Sequence, residues 1–100
     1  MSLKIRRVVT GHDEQGRSKV LTDETVGNVI STRPGAQSSV IWSSTGFPVD
    51  NDGDNDPSHK DIATTIDHGS VFRIVHYGPG VAPRNHRTAA IDYAVVISGE

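Results

Sequence analysis

One hundred residues hold one domain, since single domains commonly run to about 100–150 residues, and a hydrophobic content of 34% predicts a thin or incomplete core. Ten Lys and Arg against twelve Asp and Glu give a formal charge of −2, so no basic excess exists to neutralise nucleic-acid phosphates or hold an anionic membrane. The chain has no cysteine, hence neither a disulfide nor a thiolate metal site. The opening Met1-Ser2-Leu3-Lys4 lacks the apolar stretch of a signal peptide, and runs such as Ala94-Val95-Val96-Ile97 fall far short of the about 20 residues of a membrane-spanning helix. The expectation is a soluble cytoplasmic protein with neither nucleic acid nor membrane as partner.

Short β-branched runs alternate with Gly, Pro, Asn and Asp clusters, the pattern of strands and turns. In chain order, strands are predicted from Arg6 to Thr10, Lys19 to Thr22, Gly27 to Thr32, Ser39 to Ser43, Ser70 to Tyr77 and Ala90 to Ser98. Punctuators such as Arg33-Pro34-Gly35 and Gly78-Pro79-Gly80 favour a sandwich or barrel over a βαβ fold. No long helix is predicted; a single turn could start at Ser58, with Asp61 three residues on.

Residues 49–61 form an acidic surface loop carrying Asp50, Asp52, Asp54, Asp56 and Asp61. Asp50, Asp52 and Asp54, with Asp61 eleven residues after Asp50, follow the spacing of a calcium-binding EF-hand loop. However, Asn55 stands where the turn glycine belongs, Asp61 replaces the bidentate Glu, and no helices flank the loop. A turn-rich excursion is the simpler reading.

The most specific stretch runs from Gly80 to Glu100. His86 and Thr88, two apart on an extended chain, point the same way. If no bulge intervenes, Asp92, Ala94 and Val96 keep that parity, giving a face polar at one end and apolar at the other. Such a face suits a barrel interior with a small ligand pocket at its mouth.

Gly80, His86, Thr88, Asp92 and Gly99 fall on the five positions of the first cupin motif, which places a Gly, five residues, His, one residue, His, three or four residues, Glu, six residues and Gly. The chain therefore resembles a small single-domain cupin, and Gly69-Ser70-Val71-Phe72-Arg73-Ile74-Val75 with Gly78-Pro79-Gly80 is similar to the strand and turn before that motif. The resemblance implies an all-β double-stranded β-helix, the jelly-roll barrel, of which residues 1–100 supply the N-terminal part. It also implies a homodimer.

In a metal-binding cupin, both His and the Glu of this motif join a His from a second motif. Here Thr88 and Asp92 replace the second His and the Glu. His86 and Asp92 are the candidate metal ligands, and imidazole with carboxylate suits Fe, Mn, Ni or Zn, although such sites generally use three or more protein ligands. Two readings stay open. One is an enzyme that oxidises, isomerises or decarboxylates a small polar or aromatic metabolite, with His86 as metal ligand or general base and Thr88 and Asp92 positioning substrate or water. The other is a non-catalytic ligand-binding or regulatory module in which the same residues only fix a ligand.

His86 could equally be a hydrogen-bonded imidazole inside the pocket, and Asp92 could pair with Arg84 or Arg87. His76 shares strand parity with Phe72 and Ile74, which marks it as a core histidine. His12, His59 and His68 lie in loop-like contexts.

A strand from Ala90 to Ser98 calls for a hairpin partner, which these residues do not supply. The domain is expected to be incomplete at its C-terminal side. Residues 1–100 alone should then aggregate or unfold without cooperativity, and a sharp thermal transition from a monomeric 1–100 polypeptide would contradict that.

Overall fold

A computed structural model describes residues 3–53, 56–59, 62 and 65–100, with only the backbone at 32 and 59. Its regular structure is all-β: β1 (Arg6–His12), β2 (Ser18–Thr25), β3 (Ile30–Arg33), β4 (Ala36–Thr45) and β5 (Gly69–Tyr77), with one 3₁₀ turn at Pro57–His59. The strands form two antiparallel sheets, β1-β2 and β3-β4-β5. Five of the six predicted strands are present, β3 being shorter than expected and β4 longer.

Local chemistry explains the connections. In the β1–β2 hairpin, Asp13 Oδ1 accepts the amides of Gln15 and Arg17, each at 2.9 Å, while Gly16 takes a φ of 77°. This is the side-chain turn that Asp favours. Between β3 and β4, Pro34 is followed by Gly35 at φ 80°, the arrangement of a type II turn.

Along β1, Ile5, Arg7 and Val9 share one face by the two-residue period. Ile5 and Arg7 are buried, and Ile5 O accepts the amide of buried Val26. The buried apolar side chains among the described residues are Ile5, Val26 and Ala36, beside four buried polar residues, Arg7, Ser39, Ser43 and Ser58. The core is thin and largely polar, so polar pairing must help hold the two sheets.

Arg7 supplies that pairing. β4 carries a bulge between Val40 and Trp42, which leaves Ile41 without a partner on β5; a bulged residue drops out of the ladder. The Ile41 carbonyl instead accepts Arg7 Nε at 2.9 Å. Arg7 also donates to Glu24, its register partner on β2, at 3.2 Å, and bidentately to Asp56 at 2.7 and 2.6 Å. Its guanidinium lies 5.6 Å from the Trp42 ring centroid, within cation–π range.

The loop between β4 and β5 docks through the same network. Asp56 Oδ1 accepts the Ser58 amide at 2.9 Å. Asn28 Nδ2 bridges the carbonyls of Val40 and Ser58, and Asn28 Oδ1 accepts the Ser39 hydroxyl. The predicted turn therefore exists but is capped by Asp56, with Ser58 inside it. Asp61, invoked as its acid, lies outside the described residues, as do Asp54 and Asn55 of the calcium-like spacing. No helix of the described residues is long and apolar enough to cross a membrane.

Two measurements check this network. The Arg7 side chain is only 2% exposed, so Arg7→Met in the full-length protein removes the bidentate guanidinium from Asp56 and the buried cation from between the sheets. It should cost about 3 kcal/mol in chemical denaturation. Hydrogen bonds from Arg7, then from Ser58, hold the Asp56 carboxyl well below the usual carboxylate range. Because the folded pKa lies below the unfolded one, this stabilisation is complete above the unfolded value of about 4 and is lost as pH falls toward the folded value. Stability should drop more steeply below about pH 4 in the wild type than in Asp56→Asn; parallel pH profiles would contradict the assignment.

Candidate functional site

The chain leaves β5 at Tyr77 and turns through Gly78-Pro79-Gly80, with Gly80 at φ 75°. Residues 82–100 are exposed and join no ladder among the described residues. The predicted strand from Ala90 to Ser98 is thus absent as a paired strand, because nothing described lies alongside it. Its apolar side chains face solvent: Ile91, Tyr93, Val95, Val96 and Ile97 are each more than two-thirds exposed.

His86 Nδ1 lies 3.1 Å from the carbonyl of Arg84. A carbonyl only accepts, so Nδ1–H donates, and the neutral ring carries its lone pair on Nε2. The Thr88 hydroxyl accepts the amide of Ala90 at 3.2 Å, and the backbone bends at Ala89 and Ala90. This local bond offers the backbone an alternative to strand pairing. The bend also breaks the unbroken extended run needed to carry the parity of His86 and Thr88 to Asp92. No ion pair joins Asp92 to Arg84 or Arg87.

His86, Thr88 and Asp92 therefore lie on one exposed segment without being gathered into an enclosed pocket. Among the described residues no three His, Asp or Glu side chains converge as metal ligands. The donor set of the described residues does not fit a bound Fe, Mn, Ni or Zn, which generally take three or more protein ligands.

A concave feature lies elsewhere among the described residues. An open groove of about 310 Å³ is lined by Ser31, Ala36, Gln37, His76 and Pro79 beside the two glycine turns. His76 stands opposite Gln37 in register and is half-buried. On β5, Phe72 is exposed while Ile74 and His76, on the same parity, are half-buried. His76 is thus a half-buried groove residue and not the core histidine expected from its parity.

The residues that sequence reasoning missed are Arg7, Asp56 and Asn28. Arg7 carried a signal, since it falls between Ile5 and Val9 on the core parity of its strand. Asp56 was one acid among many.

No family model matches the chain. It is 34% identical over 101 residues to the cupin-domain-containing oxidoreductase fogC of Aspergillus ruber, covering 96% of this chain and 49% of that protein. The cupin-domain-containing oxidoreductase virC of Hypocrea virens is 32% identical over 98 residues, covering 94% of this chain and 50% of the relative. Phomopsin biosynthesis cluster protein D of Diaporthe leptostromiformis is 34% identical over 103 residues, covering 94% of this chain and 53% of that protein. The chain spans about half the length of the curated relatives it matches. Antiparallel all-β architecture, the spacing of Gly80, His86, Thr88, Asp92 and Gly99, and similarity along nearly the whole sequence agree: this chain belongs to the cupin superfamily.

Proposed function

We propose that the chain is the N-terminal part of a cupin barrel that binds a small polar or aromatic metabolite at a pocket around His86 and acts on it as an enzyme. The observation that carries this reading is the similarity, over 96% of the chain, to a protein named as a cupin-domain-containing oxidoreductase. The exposed apolar residues from Ile91 to Ile97 add support, since a run of this kind is stable only when further strands cover it. In the homodimer proposed for the whole protein, those strands come from the rest of the barrel.

His86 does the chemistry that this segment can supply. With Nδ1–H committed to the Arg84 carbonyl, Nε2 is the basic nitrogen and takes a proton from a bound hydroxyl or an acidic carbon. Thr88 and Asp92 orient the substrate or a water. Thr88 is neutral and the Asp92 carboxylate has no ion-pair partner among the described residues, so both are available to a polar ligand once the pocket closes.

Two experiments test this on the full-length protein. Nitrogen-15 NMR of the neutral His86 ring should give a protonated Nδ1 and an unprotonated Nε2; the opposite tautomer removes the proposed base. A panel of small phenols and carboxylic acids should include a compound that shifts the His86 ring signals saturably, with affinity falling at least tenfold in His86→Ala, as expected for loss of a buried hydrogen bond to a charged group. A panel that leaves His86 unmoved would sink the pocket assignment. Metal analysis run alongside separates the two chemistries. Stoichiometric Fe, Mn, Ni or Zn that disappears in His86→Ala would mean that residues outside those described complete a metal centre.

A further inference from the structure

The two Pro-Gly turns pack against each other. The Gly78 amide donates to the Gly35 carbonyl at 2.7 Å. A Cβ on Gly78 would stand 3.2 Å from that oxygen, tighter than a side chain comfortably allows. At Gly35, φ is 80° and an added Cβ would meet Val81 Cγ2 at 2.7 Å, so Val81 rests directly on the β3–β4 turn. Arg33, the last residue of β3, closes the arrangement. Its guanidinium lies 5.6 Å from the Tyr77 ring centroid, and Nη1 donates to the Ala82 carbonyl at 3.1 Å. One side chain therefore grips the chain on both sides of the 78–80 turn, and beyond Ala82 no hydrogen bond or ion pair joins the segment to the sheets among the described residues.

From this geometry we infer that Arg33 is a positioning residue: together with the Pro34-Gly35 turn it forms a latch that sets the direction in which the segment carrying His86 leaves the sheet. The inference rests on the reading of His86 as the pocket base. His86 follows Ala82 by four residues, and its own hydrogen bond is to Arg84 within the same short stretch. The ring is oriented locally, and the stretch as a whole is aimed by the latch. A stacked guanidinium plus one hydrogen bond to a carbonyl is enough to bias a short linker toward one exit direction.

The test compares wild type, Arg33→Ala and Arg33→Lys in the full-length protein by amide exchange and by NMR of the histidine rings. Arg33→Ala should speed exchange of the Gly78 amide about tenfold, with the β1–β2 amides unchanged. It should also move the His86 ring signals, while Arg33→Lys, which keeps a cation and one donor, restores part of both effects. Unchanged exchange at Gly78 overturns the latch. Faster exchange with an unmoved His86 ring overturns the positioning role. Neither readout needs a ligand, so loss of the pocket assignment through His86→Ala would leave the latch result standing, and the two failures are distinguishable.

Discussion

A buried arginine is the constraint on which the rest of this structure depends. A guanidinium removed from water is tolerated only where its charge and its donors are met. Arg7 meets both conditions by drawing on three separate parts of the chain: Glu24 across the β1–β2 ladder, the Ile41 carbonyl on β4, and Asp56 in the loop before β5. Its planar fork suits the bidentate Asp56 carboxylate and the Trp42 face together, a combination that lysine's point charge does not reproduce. The bulge in β4 belongs to the same arrangement, because the residue it frees from the ladder is the one whose carbonyl Arg7 needs. With only Ile5, Val26 and Ala36 as buried apolar side chains among the described residues, this network and that of Asn28 hold the sheets where apolar packing alone is small.

A polar core of this kind has a consequence for the long β4–β5 connection. Asp56 and Ser58 are held at its centre by Arg7 and Asn28, so an acidic, turn-rich loop is fixed at its middle to the face of β4. Its negative charge then reads as the counter-charge of the inter-sheet cation, and Asp56 stands apart from Asp50 and Asp52, which face solvent. What composition marks as surface excess contains one structural carboxylate.

The sequence made the strands legible because β-branched runs and Pro-Gly punctuation act locally, and the five strands that form ladders were all anticipated from them. The 86–88–92 spacing was legible too, as a pattern. Its spatial realisation was not, because a strand forms only against a neighbour, and Ala90 to Ser98 has none among the described residues. The bend at Ala89 and Ala90 was hidden for a related reason: the Thr88 hydroxyl competes for a backbone amide that an extended run would leave for a partner strand. Parity put Phe72, Ile74 and His76 on one face but did not tell their environments apart: Phe72 is exposed and His76 borders a groove, because burial depends on what covers a face and not on alternation alone. Arg7 went unread because the charge of an arginine ordinarily argues for solvent, and only the identity of its distant partners reverses that.

The segment from 81 to 100 divides into two halves with different demands. From Arg84 to Ala90 the side chains are mostly polar, and two of their groups bond locally, His86 to the Arg84 carbonyl and Thr88 to the Ala90 amide, so this part has little apolar surface that burial would stabilise. From Ile91 to Ile97 the exposed groups are apolar side chains and unpaired backbone, both of which gain only from burial against another strand. A strand packing here would gain far more against Ile91 to Ile97 than against the polar stretch around His86, because the gain from burial scales with the apolar area removed from water.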